Sequence, residues 1–587
     1  MRLQSDDPDR AIGDGAVEDG HRQATDTRRA EWDAGRVLAR SDALNALREE
    51  RFDVVVVGGG VTGAGVALDA ASRGYSVALV ERFDYASGTS SRSSKLVHGG
   101  LRYLASFDVG LVREALLERR INARLAPHLV TPLPLVVAEV GPHRPDRMTG
   151  VGLNLYDVLA VDRRGNRRRR RGDDVDRGWS PDRHRTLDAR EVVEHVPALE
   201  GQDPTGGWLF YDCQTDDSRL VLTILQEAER FGAVCLNHVR VRELRERDGH
   251  AEGVEVEDGL SGERFSIQAA NVVNATGVWA DRLRPAELRD EAEVPVIRPS
   301  RGTHITLPTD KLPLRSGAIV PSGGGRFMFA LPWLGRTLVG TTDNELNTRD
   351  LDHVAAPDED VAYILDGING YFGTSLTPED VSGAYAGVRP LIASGDPKRS
   401  VDISRRAELY ETSSGMLTIT GGKLTTWRRM AKQTVDRLVE RDGRNALCRT
   451  EQLPLGQPID ALRLPHVPGT NDAARAQLAG RYGSVARDVL TLAAERPELA
   501  RPIVGDGPVD IMAEAVHAVR VEHARDLDDV LLRRTRLGLT AARGLTADGG
   551  AVARTVAETI APDLGWDAEG VDRAVERFLD VARKEGL

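Results

Sequence analysis

Residues 52–104 read FDVVVVGGGVTGAGVALDAASRGYSVALVERFDYASGTSSRSSKLVHGGLRYL, and this stretch decides the fold. An apolar run, DVVVV, precedes the spacing G-x-G-x-x-G at Gly58, Gly60 and Gly63. The pattern predicts a buried parallel strand, a tight turn, and a helix whose N-terminal amides face an anion such as a pyrophosphate. Glu81 follows a second apolar run, 18 residues beyond Gly63, where a carboxylate can accept hydrogen bonds from a ribose. The stretch therefore predicts a Rossmann-like dinucleotide-binding unit.

The polar segment after Glu81 distinguishes the two common dinucleotides. A nicotinamide-binding domain usually continues into another βα unit, whereas this chain enters SGTSSRSSKLVHGG, which is rich in hydroxyls and glycines. Such a segment suits the second part of a cofactor that is buried in the protein, as a flavin is. A purely structural glycine turn is the alternative, but the strand, helix and acid around the motif disfavour it. The sequence therefore favours FAD.

Length and composition limit the classes of protein. At 587 residues the chain is too long for one core, so we expect two or three domains. The formal net charge of −12 argues against nucleic acid as the main partner. Cys213, Cys235 and Cys448 have neither metal-ligand nor disulfide spacing, so we expect a reducing compartment and no metal site. We find neither an apolar run of the roughly 20 residues that cross a bilayer nor a secretory signal.

Composition also divides the chain. Residues 1–40 are polar and poor in large apolar side chains, so we expect a mobile extension. Residues 41–446 mix β-like runs, helices and glycine turns, which predicts one region that contains the dinucleotide-binding unit. Residues 447–587 carry apolar side chains at i, i+3 and i+4, which predicts a helical domain. An arginine run lies between about 165 and 186 and is either a solvated loop or a contact for anionic lipid head groups.

Two later segments repeat the pattern of a strand followed by a glycine turn. NVVNATGVWAD contains Ala275 and Gly277, and LTITGGKLTT contains Gly421 and Gly422 before a helical segment. Turns at the carboxyl ends of parallel strands meet at the sheet edge where ligands bind. We therefore expect a discontinuous FAD-binding domain whose last strand and helix return after the substrate domain. An ordinary connection between elements is the alternative for the second segment.

Cationic and imidazole side chains recur in turns bounded by glycine or proline. They are His98, Arg102 and Tyr103 in VHGGLRYL, His304 in RGTHITLP, Arg389 in AGVRPL, Arg405 in ISRRAEL and Lys423 in GGKLTT. Singly, each has a plain explanation as a surface cation or a satisfied polar group. Together, in an acidic protein, they suit a dianionic phosphate, because guanidinium groups form bidentate hydrogen bonds with it.

These motifs together resemble one family. GGGVTGAG, TSSRSSKLVHGGLRYL, NATGVWAD, VGTTD, YAGVRPL and GGKLTTWR follow the order of the FAD-dependent glycerol-3-phosphate dehydrogenases, over about residues 50–540. SSKLVHGGLRYL and GVRPL are specific to that family. The resemblance implies an α/β fold of the D-amino-acid-oxidase and glutathione-reductase type, with a Rossmann-like FAD-binding domain, a β-rich substrate domain and an all-α C-terminal domain. It places the FAD-binding parts at about 50–130, 190–285 and 380–446, and the substrate-binding parts at about 131–189 and 286–379.

The resemblance also implies an activity. Members of this family bind FAD non-covalently, oxidise sn-glycerol 3-phosphate to dihydroxyacetone phosphate, and commonly pass electrons to membrane quinone. We therefore expect a cytoplasmic homodimer that is peripheral on the inner face of the cell membrane, with an anionic membrane surface as a partner.

Site residues carry over position by position. The implied cofactor contacts are Gly58, Gly60, Gly63, Glu81, Ser90, Ser91, Ser93, Lys95, Val239, Ala275, Gly277, Gly421, Gly422, Leu424 and Thr425. The implied substrate contacts are Arg102, Tyr103, Arg389, Arg405 and Lys423, with a one-residue slip exchanging Arg405 for Arg406.

The catalytic hypothesis follows from the chemistry of a secondary alcohol. His304 is the first choice for the base that takes the hydroxyl proton, because imidazole titrates near neutral pH. Arg389 stabilises the developing alkoxide, and His98 is the competing base. The alternatives are a glycerol-3-phosphate oxidase that uses oxygen, an amine or amino-acid oxidase of the same fold, and a non-enzymatic flavin-binding module.

Overall fold

The computed structural model describes most of the chain, with several gaps. The described residues are 38–101, 108–141, 147–160, 183–283, 296–323, 326–346, 348, 350–393, 407–505 and 509–586. Almost all of the predicted extension 1–40 and most of the arginine run lie outside them, as do Arg102, Tyr103 and Arg405.

The strands of the described residues form two large sheets. In chain order they are β1 (Arg51–Val57), β2 (Val77–Val80), β3 (Leu96–Val97), β4 (Thr131–Glu139), β5 (Arg185–Asp188), β6 (Gly206–Gln214), β7 (Val234–Leu236), β8 (Val239–Arg247), β9 (His250–Asp258), β10 (Arg264–Asn274), β11 (Val296–Pro308), β12 (Gly317–Pro321), β13 (Phe327–Trp333), β14 (Arg336–Gly340), β15 (Asn344–Glu345), β16 (Gly383–Ala393), β17 (Ala407–Glu411) and β18 (Leu417–Gly421).

Helices cover the sheets and form the C-terminal part of the chain. They are α1 (Arg40–Glu49), α2 (Val61–Ser72), α3 (Val109–Leu125), α4 (Arg147–Ala160), α5 (Ala189–His195), α6 (Asp217–Arg230), α7 (Asp358–Phe372), α8 (Trp427–Arg441), α9 (Asp472–Tyr482), α10 (Ala486–Glu495), α11 (Met512–Val521), α12 (Leu537–Thr540), α13 (Ala542–Thr546), α14 (Ala551–Leu564) and α15 (Ala568–Glu585), with a π-helical turn over Asp529–Arg534. Within the described residues, no helix combines the length and apolar content needed to cross a bilayer.

The first sheet has the parallel core that the opening stretch predicts. Its strands run in the order β17-β18-β10-β1-β2-β7, and all neighbours except β17 and β18 are parallel. The valines of β1 are buried because α2, α6 and α8 cover one face while α1 and the β8–β9 hairpin cover the other. Since β18 returns to the first sheet after most strands of the second, the first sheet is built from separate parts of the chain, as expected for a discontinuous domain.

The second sheet is mostly antiparallel. Its order is β15-β11-β14-β13-β12-β4-β6-β3, with β16 beside β11 and β5 beside β6. Alternating inward side chains of β11 and β14 pack beneath α7 in one apolar core. This arrangement is the β-rich part that the resemblance implies.

Two strands lie in a different sheet from the one that the expected domain boundaries imply. β6 lies within the range 190–285 and β16 begins within 380–446, yet both hydrogen-bond in the second sheet. β6 pairs with β4 over nine residues and β16 pairs with β11 over eleven, so these long pairings assign both strands to the second sheet. The remaining division of the chain stays a prediction.

The C-terminal part is helical, with its own apolar core from Leu464 to Val581. It joins the first sheet through buried ion pairs rather than apolar contacts alone. Asp84 Oδ2 accepts from Arg533 Nε at 2.5 Å and from Arg534 Nη1 at 2.6 Å, and all three side chains are buried. Asp84 also lies near His238 and Asp529, but two guanidinium groups already occupy its oxygens, so this cluster is an ion-pair junction.

Candidate active site

The carboxyl ends of three parallel strands meet at one edge of the first sheet. Val57 of β1 is aligned with Val80 of β2 on one side and with Asn274 of β10 on the other. The residues that follow these strands, Gly58 and Ala275 among them, line a cavity of about 380 Å³. A cavity of this size at the carboxyl edge of a parallel sheet is typical of a cofactor site.

Two glycines of the motif are required by the backbone around them. Gly58 has a φ of +111°, and a Cβ there would lie 2.7 Å from the carbonyl oxygen of Ala275. A Cβ on Gly63 would lie 1.9 Å from the carbonyl oxygen of Gly58. Because neither contact can be relieved by a flexible side chain, alanine at either position would displace the turn.

Glu81 fastens this turn to the end of β2. Its carboxylate accepts hydrogen bonds from the amide of Gly59 at 2.8 Å and from the amide of Phe83 at 3.0 Å. Burial raises the pKa of Glu81, and these two amides partly offset that rise. The carboxylate therefore holds the glycine turn and also faces the cavity.

Most of the predicted cofactor contacts line the cavity. They are Gly58, Gly60, Glu81, Ser90, Ser93, Val239, Ala275, Gly277, Gly421, Gly422 and Leu424. Four do not: Gly63 packs on the turn, and Ser91, Lys95 and Thr425 are buried behind the lining.

Lys95 differs most from its expected position. Its ammonium group donates to both oxygens of Asp217 at 2.9 Å and to the carbonyl oxygen of Ser91 at 2.6 Å. The side chain is fully buried, and a buried charge needs a partner of opposite sign. The ammonium group therefore points toward the carboxylate of Asp217. Lys95 therefore supports the lining from behind.

The cavity also has lining residues that the motifs did not single out. Arg82 stacks on the rings of Phe83 and Trp279, at 4.5 and 4.6 Å from their centroids. Arg240 and Arg242 alternate with valines along β8 and line the same cavity. The period-two pattern VRVR after Leu236 is the signal that could have revealed these arginines.

The substrate-side residues occupy one face of the β11–β16 pair. Ser300 pairs with Arg389, Gly302 with Gly387, and His304 with Tyr385. The sequence placed His304 and Arg389 in turns, whereas both lie in strands. Gly302 and Gly387 suggest turns in the sequence, but in the strands a glycine provides room for a neighbouring side chain. A Cβ on Gly302 would lie 2.4 Å from Arg389 Nη2.

His304 is buried among polar and aromatic groups. Its Nε2 is 2.8 Å from Ser94 Oγ, and its ring stacks on Tyr385 with centroids 4.9 Å apart. Burial, together with the positive charges of Lys95 and Arg389, holds the pKa of His304 well below its usual 6.5. The imidazole is therefore neutral at neutral pH and able to accept a proton.

The guanidinium of Arg389 is held in a defined orientation. It donates to Asp343 Oδ1 at 3.2 Å and to Thr341 Oγ1 at 3.1 Å. Pro390, the next residue, lines the cavity. Arg389 and His304 thus lie on one strand face beside the cofactor cavity.

Of the other predicted substrate and catalytic residues, the structure describes Lys423 and His98. Lys423 lines the cavity within the Gly421–Leu424 turn. The backbone amide of His98 donates to Thr425 Oγ1 at 3.0 Å, and its ring meets Phe329 edge to face. Arg102, Tyr103 and Arg405 lie outside the described residues.

The cavity suits FAD on chemical grounds. It combines a glycine turn at a helix N-terminus, a carboxylate after β2, hydroxyls from Ser90 and Ser93, and an indole from Trp279. These groups match a pyrophosphate, a ribose and extended aromatic rings.

Comparison with known proteins agrees with this assignment. The FAD dependent oxidoreductase family matches residues 53–428, and the C-terminal domain of alpha-glycerophosphate oxidase matches residues 416–571. The fold and the site are thus those of an FAD-dependent oxidoreductase.

Several relatives narrow the assignment. Glycerol-3-phosphate dehydrogenase 2 of Mycobacterium tuberculosis is 38% identical, over 93% of this chain and 91% of its own. The aerobic glycerol-3-phosphate dehydrogenase of Bacillus subtilis is 35% identical, over 85% and 89%. The glycerol-3-phosphate dehydrogenase of Bacillus halodurans, solved with FAD, superposes with a TM-score of 0.72 at 28% identity, over 93% of this chain and 97% of its own. The chain belongs to the glycerol-3-phosphate dehydrogenase family.

Proposed function

We propose that this protein oxidises sn-glycerol 3-phosphate to dihydroxyacetone phosphate. The observation that carries the proposal is the position of His304 and Arg389 on one strand face beside the cofactor cavity. The names of the relatives support the same substrate. FAD, when bound, supplies the acceptor for the hydride that leaves the second carbon of the substrate.

His304 takes the proton from the substrate hydroxyl in this proposal. Its imidazole is neutral because burial and two nearby cations lower its pKa, so it can act as a base at neutral pH. The hydroxyl of Ser94, 2.8 Å from Nε2, fixes the ring, and the face of Tyr385 fixes its plane. The orientation is therefore set before substrate binds.

Cationic side chains bind the phosphate and stabilise the alkoxide. Arg389 presents a planar fork whose position is set by Asp343 and Thr341, and Lys423 adds a point charge in the cavity. Arg102, Tyr103 and Arg405 complete the phosphate site in this proposal on the basis of the family motifs. His98 is the competing base, and its position beside Thr425 keeps it close to the Gly421–Leu424 turn.

The electron acceptor we propose is a membrane quinone, and α4 supports a membrane-facing side. Val151, Leu155 and Val158 lie one turn or two apart on this helix and are 58, 39 and 68% exposed. On the opposite face, the hydroxyl of Tyr156 accepts from the amide of Gly99, next to His98. The exposed apolar residues would lie in the membrane surface, and Gly99 contacts the opposite face of the same helix. Docking through α4 would therefore bring a lipid-dissolved acceptor close to the site.

A second candidate is an oxidase that passes electrons to oxygen. The match of residues 416–571 to the C-terminal domain of alpha-glycerophosphate oxidase favours it. Both candidates share the substrate and differ only in the acceptor.

One anaerobic experiment tests the proposal. The purified protein with FAD is mixed under nitrogen with sn-glycerol 3-phosphate, glycerol or glycine, and the yellow flavin absorbance band is followed. We expect only the phosphorylated alcohol to bleach the band. A quinone analogue or air, added afterwards, identifies the acceptor by the faster return of colour. Bleaching by glycine alone would overturn the substrate assignment and favour an amino-acid oxidase.

Vesicle sedimentation tests the membrane surface. We expect wild-type protein to sediment with vesicles containing phosphatidylglycerol, and Val158→Glu to lose this binding. Leu462→Glu is the matched control, because Leu462 is an exposed apolar residue of the C-terminal part and does not belong to α4. Equal binding by both variants would contradict docking through α4. The homodimer and the cytoplasmic location stay predictions, and light scattering on purified protein checks the former.

A further inference from the structure

The segment of residues 89–95, TSSRSSK, separates the cofactor cavity from the substrate-side strands, and we call it the serine segment. Ser90 and Ser93 line the cavity, and the hydroxyl of Ser94 lies 2.8 Å from His304 Nε2. The hydroxyl of Tyr385, whose ring stacks on His304, donates to the carbonyl oxygen of Ser93 at 2.7 Å. A shift of this segment would therefore move the cavity wall and the partner of the base together.

The C-terminal helical part contacts the serine segment at two points. Arg536 Nη2 donates to the carbonyl oxygen of Ser91 at 2.7 Å, and this arginine is 1% exposed. Glu585, at the end of α15, accepts from Arg92 Nη2 at 2.6 Å. The two contacts come from elements 49 residues apart in sequence and hold adjacent residues of the segment.

Asp217, at the N-terminus of α6, connects these contacts to the rest of the segment. Its Oδ1 accepts from Arg536 at 3.0 Å, both oxygens accept from Lys95 at 2.9 Å, and Oδ2 accepts from the amide and hydroxyl of Ser93. Burial alone would raise the pKa of Asp217, but Lys95 and Arg536 together lower it below its usual value. The carboxylate is therefore charged and joins Arg536 and Lys95 to the segment, while burial and the charge of Arg536 lower the pKa of Lys95 to about 7.

A purely apolar contact could also join two domains. Two buried cations on one carboxylate carry a desolvation cost, and their advantage over apolar side chains is a fixed geometry. Arg536 Nη2 and the ammonium group of Lys95 both donate to the backbone of the serine segment and to Asp217, which itself holds Ser93. These ion pairs and hydrogen bonds therefore fix the conformation of the serine segment.

We propose that the C-terminal domain positions the redox site: Arg536 and Glu585 hold the serine segment so that its hydroxyls face the cofactor and His304. Arg536, Asp217 and Lys95 are positioning residues, since they act through the segment. The inference rests on the proposed function only for the role of His304, because the effect on the cofactor cavity is independent of the substrate.

The test compares Arg536→Met, Arg536→Lys and Glu585→Gln with two controls. Arg543→Met removes an arginine of the same domain that donates to the backbone of Pro378 and Glu379 instead. Asp580→Asn changes an exposed acid on the same helix as Glu585. Three properties are measured: amide hydrogen exchange of residues 89–95 in FAD-free protein, FAD affinity by fluorescence titration, and kcat/KM with sn-glycerol 3-phosphate.

We expect Arg536→Met to speed exchange in the serine segment about tenfold and to weaken FAD binding by a similar factor. Its kcat/KM should fall about 10- to 100-fold, as displacement of a catalytic group by about 1 Å does. Arg536→Lys should recover part of each loss, Glu585→Gln should give smaller effects in the same direction, and both controls should match wild type. If Arg536→Met does not fold, Glu585→Gln decides.

Unchanged exchange and FAD affinity in the folded Arg536 and Glu585 variants would overturn the proposal. Faster exchange over the whole chain, equal to that in the serine segment, would also overturn it, because it would assign these residues to stability alone. A protein that shows the expected exchange and FAD effects but fails to oxidise glycerol 3-phosphate would reject the proposed substrate and leave the positioning role intact.

Discussion

The hydroxyl of Ser94 lies 2.8 Å from Nε2 of His304, although the two residues are 210 positions apart in the chain. Ser94 belongs to the segment that forms the cofactor cavity, and His304 belongs to a strand of the second sheet. This hydrogen bond and the one from the Tyr385 hydroxyl to the carbonyl oxygen of Ser93 join the two halves of the site. Its geometry depends on both sheets and on the C-terminal domain that contacts the segment.

Replacing His304 should remove the base and leave the cofactor site intact. We expect His304→Gln to lower kcat about 10²- to 10⁴-fold, the usual contribution of a general base. FAD affinity should not change, because His304 does not line the cavity. Steady-state kinetics and an FAD titration check both parts, with His250→Gln on the exposed β8–β9 hairpin as the control. Near-normal turnover of His304→Gln would transfer the role to His98.

The pH dependence of the reaction follows from the same residue. Because burial and the charges of Lys95 and Arg389 hold the pKa of His304 well below 6.5, kcat/KM should stay level as the pH falls through 6.5. The decline should begin only at lower pH, where the imidazole becomes protonated. Removing one cation with Arg389→Met should raise the pKa of His304 and move this decline to higher pH. A decline centred at or above pH 6.5 in wild type would contradict a lowered pKa.

The free energy of unfolding should also depend on pH through His304. The folded protein disfavours protonated His304, whereas the unfolded chain binds that proton near pH 6.5. The unfolded state therefore binds more protons as the pH falls below 6.5, and this residue's contribution to the free energy of unfolding is lost there. His304→Gln should reduce the fall in stability below pH 6.5, measured by urea unfolding at several pH values.

The orientation of Arg389 depends on the space above Gly302. A Cβ at this position would lie 2.4 Å from Arg389 Nη2 and 2.5 Å from Thr341 Oγ1, so Gly302→Ala should displace the guanidinium. We expect kcat/KM for glycerol 3-phosphate to fall about 10- to 100-fold while FAD affinity stays near that of wild type. Gly370→Ala on α7 is the matched control, because nothing lies within 4 Å of the added methyl group. Equal kinetics for the two variants would show that Arg389 is not held by this contact.

The first sheet could be predicted from sequence because its signals are local. The run DVVVV, the glycine spacing and Glu81 lie within thirty residues, and the structure places their strand ends side by side. The second sheet could not be predicted to the same extent. Its strand β6 pairs with β4 across more than sixty residues, and glycines 302 and 387 look like turn residues although they lie in long strands.

The supporting contacts of the site were also beyond sequence reasoning. Lys95 follows the serines of a cofactor segment, and only the folded structure shows that its ammonium group pairs with Asp217. Arg536 is separated from Ser91 by 445 residues, and no spacing rule connects them. A family motif locates residues that touch a ligand more readily than residues that hold those residues in position.

The glycine turn should depend on the carboxylate of Glu81. A glutamine there keeps one oxygen for the amide of Gly59 or of Phe83 and turns an NH₂ group toward the other amide. We expect Glu81→Gln to weaken FAD binding about tenfold, because one donor faces another and the acceptor for the ribose loses its charge. Fluorescence titration of FAD-free protein measures the change, with Glu263→Gln, an exposed acid in the turn before β10, as the control. An unchanged dissociation constant would remove Glu81 from the cofactor site.

The junction between the FAD-binding part and the C-terminal domain should contribute strongly to the stability of the protein. Asp84 is fully buried and accepts from Arg533 at 2.5 Å and from Arg534 at 2.6 Å. Asp84→Ala leaves both guanidinium groups buried without this carboxylate, and breaking a buried pair in this way costs about 3–5 kcal/mol. Asp572→Ala is the control, since its pair with Arg554 is about half exposed and contributes about 1 kcal/mol or less. Urea unfolding of both variants should therefore separate them by several kcal/mol, and equal free energies of unfolding would mean that the junction does not stabilise the protein.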